Sequence, residues 1–214
     1  MDYIAVLDYE HLDNGLFLSA FAKAVSNHKK RGIIIHGESK YTERLIQTGI
    51  MREEATIRAI KDLNHRLVAL FADEGVSTIG LNGYQRSLIK ERNGSIDVDV
   101  EQFHKFPEHP TLLVSSLIDS DGHDQPKPMG IAAMAYALKN ELNIDDVIIF
   151  STAEGGDIIK QDLPKTISRT SPSDSTFLEK QVPKDFRDIE YEVKLTTAQN
   201  FSNYPDLTHA TIIS

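Results

Sequence analysis

Short apolar runs alternate with amphipathic stretches along most of the chain. Tyr3-Ile4-Ala5-Val6-Leu7 is a compact apolar run that predicts a first strand. Asp13-Asn14-Gly15 breaks it off, and Phe17, Ala20, Phe21, Ala24 and Val25 then recur on one helical face. Lys29-Lys30-Arg31 in the last turn complement the negative end of that helix, and Gly32 stops it. Gly32-Ile33-Ile34-Ile35 reads as a second strand, apolar throughout as a parallel strand covered on both faces must be. A helix from about Lys40 ends at Gly49. A longer one runs from about Glu53 to Ala72, with Glu53 and Glu54 at its positive end and Gly75 past its close.

Val76 to Leu81 predicts a third strand. Asn93-Gly94, between Leu88-Ile89-Lys90 and Ile96-Asp97-Val98, predicts a small hairpin. Thr111 to Leu117 reads as one strand, Ile131 to Leu142 as a helix with an apolar stripe, and Val147 to Phe150 as a buried strand. Strand–helix repetition of this kind means an α/β fold, a three-layer α/β/α sandwich around a mostly parallel sheet. After Ser151 the pattern weakens. Ser168 to Thr176, rich in Ser, Thr and Pro, reads as a loop; Ile189 to Leu195 and Thr211-Ile212-Ile213 read as strands.

Composition narrows the class. The 214 residues fit one domain, and 40% hydrophobic with 26% charged residues are globular values. No cysteine is present, which removes disulfides, thiolate metal sites and a Cys nucleophile. Lys and Arg number 23 against 32 Asp and Glu, a formal net charge of −9, with no clustered basic stretch; nucleic acid is not expected as a partner. No apolar run approaches the roughly 18 residues of a membrane span, and no signal segment opens the chain. A soluble, cytoplasmic protein with no membrane partner is the expectation.

In a parallel sheet, ligands bind beyond the carboxyl ends of the strands. Four segments fill those positions: Asp8-Tyr9-Glu10, His36-Gly37-Glu38-Ser39, Asn82-Gly83, and Ser115-Ser116. A glycine just after a strand lets backbone N–H groups approach a ligand, so Gly37, Glu38, Asn82, Gly83 and Ser116 are the candidate ligand-binding residues. They stand beside the reading of Gly37 and Gly83 as ordinary turn glycines.

Ile33-Ile34-Ile35-His36-Gly37, Glu43 to Ile50, Asn64 to Leu70 leading to Ile79-Gly80-Leu81-Asn82-Gly83, and Leu113 to Leu117 with Val147 to Ser151 together resemble the amino-acid-kinase family, most closely the N-acetylglutamate kinases. The resemblance spans about residues 3 to 156. It implies a substrate-type lobe over 1–142 and a shortened nucleotide-type lobe over 143–214. It also implies an ancestral transfer of phosphate from ATP, with magnesium, to a carboxylate in arginine biosynthesis. That chemistry needs cations and N–H donors around a spreading negative charge.

This chain departs from the family's pattern along the reaction path. The family's lysine and paired glycines after the first strand are replaced by Asp8-Tyr9-Glu10, and His36-Gly37-Glu38-Ser39 keeps one glycine of three. The family's substrate-clamping hairpin has no room between Ile50 and Asn64, where Arg52 is a candidate substitute. Pro126-Lys127-Pro128-Met129-Gly130 stands where the family carries its lysine-orienting aspartate, and no lysine after Gly156 (Lys160, Lys165, Lys180 or Lys184) sits in the family's context. Losing one preorganised donor costs about 100- to 1,000-fold in rate. The expectation is an acetylglutamate-kinase-like protein without catalysis, binding a small ligand or a partner, with no cofactor and no metal. The alternative is a divergent kinase using ATP and magnesium on N-acetylglutamate or a similar acid, with Lys127 or a later lysine supplying the missing charge.

Other signals have plainer readings. Asp119, Asp121, His123 and Asp124 around Gly122 lack the spacing of a calcium loop and read as a solvated turn. His36 reads as a packed histidine before a catalytic one, and Glu154-Gly155-Gly156 as a turn. Ile60, Leu63, Leu67 and Leu70 form a stripe on the long helix; burial on the sheet explains it, while the resemblance implies a homodimer through the equivalent helix.

Overall fold

The computed structural model describes residues 1–28, 30–122, 124–152 and 164–214. Lys29, His123, Glu154-Gly155-Gly156 and Lys160 lie outside them. The helices among the described residues are α1 (Gly15–Asn27), α2 (Tyr41–Gln47), α3 (Arg52–Asp73), α4 (Val100–Lys105), α5 (Ile131–Glu141), α6 (Ser175–Gln181) and α7 (Ala198–Phe201). The strands are β1 (Tyr3–Leu7), β2 (Gly32–His36), β3 (Thr78–Asn82), β4 (Ile89–Arg92), β5 (Ser95–Val98), β6 (Thr111–Ser115), β7 (Leu117–Ser120), β8 (Lys127–Pro128), β9 (Asp146–Phe150), β10 (Thr166–Ile167), β11 (Val193–Thr196) and β12 (Thr211–Ile213).

Eight of these strands form one sheet in the order β10-β12-β11-β9-β1-β2-β6-β3. From β11 to β3 the neighbours are parallel; β12 runs antiparallel to β11, and β10 pairs parallel with β12 at the edge. Because successive strand side chains point to opposite faces, each central strand feeds two cores. Tyr3, Ala5, Leu7, Ile34, Leu113 and Phe150 pack against Phe17, Phe21, Leu63, Leu67, Phe71 and Phe201 from α1, α3 and α7. Ile4, Val6, Ile33, Ile35, Val114 and Ile149 pack against Met134, Ala135 and Leu138 of α5 and against Phe186. This is the three-layer α/β/α sandwich, and it explains why β1, β2 and β9 carry almost no polar residue.

A second sheet, β5-β4-β7-β8, rises from the carboxyl end of the first. The apolar run from Thr111 to Leu117 is two strands instead of one, because Ser116 is shared out between partners: its N–H donates to the His36 carbonyl at 2.9 Å and its carbonyl accepts from the Met129 N–H at 2.8 Å. The Asn93-Gly94 turn has φ 50° and 78°, the left-handed pair that a tight hairpin needs. Asp119 and Asp121 lie 3.8 and 2.9 Å from the Lys90 ammonium, as turn residues with a charge partner. Three expected elements shift. The third strand starts at Thr78, the Ile189 to Leu195 strand begins only at Val193, and the loop expected over Ser168 to Thr176 runs into α6, with Asp174 accepting from the Ser168 N–H at 3.1 Å.

One buried polar contact locks α3 to the sheet. His36 Nδ1–H donates to the Gly37 carbonyl at 3.1 Å, which leaves Nε2 to accept from the Asn64 amide at 3.0 Å. The same amide nitrogen approaches the Leu81 and Leu113 carbonyls at 3.3 and 3.4 Å. A Cβ on Gly80 would stand 2.5 Å from Asn64 Oδ1, so a glycine there lets the helix come this close. His36 is therefore a packed neutral histidine, completely buried.

Burial lowers His36 from 6.5 to about 4. The unfolded chain thus takes a proton near 6.5 that the folded chain refuses until about 4, so stability is full above 6.5 and drains away as pH falls through that window. Urea titrations from pH 7 to pH 4 should show a loss on the order of 3 kcal/mol from this group, and His36→Gln should flatten that limb.

Candidate functional site

The carboxyl ends of β1, β2 and β6 open onto a cavity of about 1,000 Å³. Its walls come from both chain segments of the expected lobes: Asp8 to Glu10, Gly37-Glu38, the start of α3, Ser116 and residues 128–131 from the first, Thr152, Lys184, Asp185 and Arg187 from the second. Asp8 is placed by the turn after β1, in which its carbonyl accepts from the N–H groups of His11 and Leu12 at 3.0 and 3.2 Å. Pairing of Leu117 with Pro128 presents the segment up to Gly130 to the same space. The floor is apolar, with Ile60, Met129 and Ile131, and Gly37 fits there because a Cβ would already press on Ile131 at 3.1 Å.

Among the described residues five acids line this space, Asp8, Glu10, Glu38, Glu53 and Asp185, against three cations, Arg52, Lys184 and Arg187. Two of the cations are committed elsewhere. Arg187 donates to the Val182 and Glu179 carbonyls at 2.9 and 2.7 Å, closing the end of α6. Arg52 pairs with Glu43 at 3.1 Å on the exposed surface. Lys184 is exposed and carries no ion pair among the described residues. Burial pushes the Asp8 carboxyl above its ordinary value; Asp185 and Glu10 push the same way, while the Tyr9 N–H and His11 pull it down. The Tyr9 phenol is raised by burial and by Glu43, Asp13 and Glu38. Burial is the larger cause of both shifts, and the neighbouring acids add to it.

Of the five residues named from the sequence, Gly37, Glu38 and Ser116 line the cavity. Asn82 and Gly83 do not. Asn82 is buried, with its N–H on the Gln85 side chain at 3.0 Å and its Oδ1 accepting from Ser115 Oγ at 2.8 Å. Gly83 packs so closely that a Cβ would meet the Leu117 carbonyl at 2.7 Å. Both close the end of β3, the sheet edge, instead of facing the opening. Lys127 also stands apart: its ammonium binds Glu91 at 2.9 Å on the second sheet. Sequence reasoning missed Glu53, Thr56 and Asp185 at this cavity, and had Lys184 only as one of several later lysines. Lys184 reaches the cavity because Phe186, in the same 3₁₀ turn, is fully buried; an aromatic amid charges was the available signal. Among the described residues, no cluster of three acidic or histidine side chains is placed to hold a metal ion.

No protein-family model matches the sequence, and no curated protein matches it either. Solved structures do match. An isopentenyl phosphate kinase of T. acidophilum, in a product complex, superposes with a TM-score of 0.64 over 100% of both chains at 10% identity. N-acetylglutamate synthase from Neisseria gonorrhoeae gives a TM-score of 0.64 at 15% identity over 92% of this chain, and aspartate kinase from Synechocystis gives 0.64 at 11% over 92%. The chain has the amino-acid-kinase fold. It spans 54% of that synthase and 38% of that aspartate kinase. At such identities the likeness is one of amino-acid-kinase fold alone, and chemistry must be argued from the site.

An amino-acid-kinase fold with a partly buried carboxyl at the end of its central strand sacrifices stability there when that carboxyl is charged. Since the folded value of Asp8 is raised, ionisation favours the unfolded chain, and the penalty is present at neutral pH and vanishes once Asp8 is protonated. Asp8→Asn should raise the melting temperature at pH 7, with the gain shrinking as pH falls through the Asp8 titration; an Asp8→Asn variant no more stable than the parent at pH 7 would contradict this.

Proposed function

We propose that this protein binds a small, polar, positively charged ligand in the strand-end cavity and does not transfer phosphate. The placement of Asp8 supports this most. A partly buried carboxyl whose neighbours are Glu10 and Asp185 gains by meeting a cation, and each such meeting is worth more than it would be in water. A triphosphate would meet the opposite. Two like charges about 4 Å apart cost roughly 1–4 kcal/mol near a protein surface, and among the described residues the cavity's acids outnumber its cations. The residues present do not fit ATP, and they do not assemble a magnesium site among the described residues.

A link to arginine or glutamate metabolism belongs to this reading. The N. gonorrhoeae synthase structures are complexes with coenzyme A and either N-acetyl-glutamate or L-arginine, and L-arginine is a small cationic molecule of the class this cavity favours. A homodimer is also part of the proposal. Ile60, Leu63 and Leu67 are buried in the chain's own core, so a contact along α3 would use its outer face, around Met51, Arg58 and Asp62. One observation favours a second reading. Lys184 brings a cation to the cavity from the C-terminal segment, as a divergent kinase acting on the carboxylate of N-acetylglutamate or a similar acid would require.

Calorimetry with L-arginine, N-acetylglutamate and Mg-ATP, together with hydroxamate trapping of any acyl phosphate, separates the two. The proposal expects saturable heat from the cationic ligand, none from Mg-ATP, and no hydroxamate. Saturable Mg-ATP binding with hydroxamate formation that is lost in Lys184→Ala and kept in Lys127→Ala would establish the kinase instead.

A further inference from the structure

The opposite edge of the main sheet, at the amino ends of β2, β3 and β6, holds a second and smaller cavity of about 210 Å³. Three segments frame it: the end of α1 with His28, Lys30 and Arg31 beyond it, 75–77 after α3, and 108–111 before β6. They are tied to one another. The Asp2 N–H donates to the Arg31 carbonyl at 2.7 Å, the Thr111 N–H donates to the Ser77 carbonyl at 2.9 Å, and Arg31 Nε reaches across to the Pro110 carbonyl at 3.1 Å. Gly32, next to Arg31, lies against the Tyr3 ring with no space for a Cβ, which fixes the backbone under the cavity. The frame is built, not a gap between mobile loops.

Among the described residues its lining carries two full cations, Lys30 and Arg31, in a chain whose net charge is −9. His28, Lys30, Arg31 and His109 line it with the hydroxyl-bearing Ser77 and Thr111, against one acid, Glu108. Arg31 Nη2 and both ring nitrogens of His28 are shut from water and have no well-formed hydrogen bond among the described residues. His28 is itself only 9% exposed, its ring held edge-on between Tyr3 at 5.3 Å and Phe201 at 4.9 Å. Glu108 makes no ion pair with Arg31 within 4 Å among the described residues, and Lys30 pairs with Asp2 at 3.2 Å. Buried donors are ordinarily satisfied, and Arg31 Nη2 at this small cavity calls for an acceptor, while burial favours the neutral His28 ring, which offers one N–H with the Lys30 and His28 backbone beside it. A planar guanidinium beside an imidazole is a donor set suited to an oxyanion.

We infer that this cavity binds a phosphate-type oxyanion, received by Arg31 and His28 with Lys30 and His109 at its mouth. The site is separate from the strand-end cavity, and its anion preference is the reverse of what that cavity's acids favour. Lys30 contributes charge from a partly exposed position, and Glu108 is the built-in competitor for the same donors.

Calorimetry and melting curves on the full chain test this with two probes, inorganic phosphate and phenyl phosphate, at ionic strength matched by chloride. Saturable binding of either probe is expected. Phosphate alone would identify a free ion, and phenyl phosphate as well would identify a phosphate group carried on a larger molecule. Lys30→Gln should weaken that affinity about threefold and Glu108→Gln should tighten it about threefold, as partly exposed charges do. Arg31→Lys, which keeps the charge and loses the fork, should weaken it about tenfold. Absence of saturable binding by both probes, or an affinity indifferent to both Lys30→Gln and Glu108→Gln, would overturn the inference.

Discussion

An acid at the end of the central strand is the constraint around which the functional account is built. β1 lies between β2 and β9, and every one of its residues from Tyr3 to Leu7 is buried. Its carboxyl end is therefore fixed by two cores at once, and the residue after Leu7 is presented to the cavity without freedom to withdraw. That residue is Asp8, partly buried, with Glu10 and Asp185 adding to the cost of its charge. A protein that holds a carboxyl in this way gives up stability to do so, and such concessions are concentrated at sites that meet a ligand.

The packing that fixes the site also fixes the opposite edge. Residues of β1 alternate between an aromatic layer, where Tyr3 meets His28, Phe201 and Tyr204, and the aliphatic layer under α5. α3 is drawn onto the sheet by Asn64, whose amide reaches His36 and the carbonyls of β3 and β6. Its first turn then delivers Glu53 and Thr56 to the strand-end cavity, and the loop after its last turn supplies Gly75 to Ser77 at the other end. One helix thus contributes to an acidic opening and, 22 residues of helix away, to a basic one.

Much of the fold was legible because the central strands are apolar on both faces, a pattern that only a covered parallel sheet explains. The hairpin at Asn93-Gly94 was legible from turn chemistry. The break at Ser116 was not, since Leu113-Val114-Ser115-Ser116-Leu117 carries no Gly, Pro, Asn or Asp to mark it; hydrogen bonds to His36 and Met129, remote in sequence, divide it. α4, α6 and α7 span six, seven and four residues, too short for a helical period to emerge. At the site, Glu38 and Ser116 could be placed from their strand ends. Asn82 and Gly83 come after a strand in the same way, yet β3 is the edge of the sheet and its end closes against β7 instead of opening on the cavity. Lys184 and Asp185 arrive through the burial of Phe186, a long-range event that local pattern does not carry.

The central claim is that acidic side chains, not a missing cavity, keep phosphate out of the strand-end opening. Mg-ADP affinity of the double variant Asp8→Asn with Glu38→Gln, measured against the parent chain at one ionic strength, tests it most directly. Removal of the two charges should raise that affinity by about tenfold or more. A parent chain that binds the nucleotide as tightly as the neutralised variant would contradict the account.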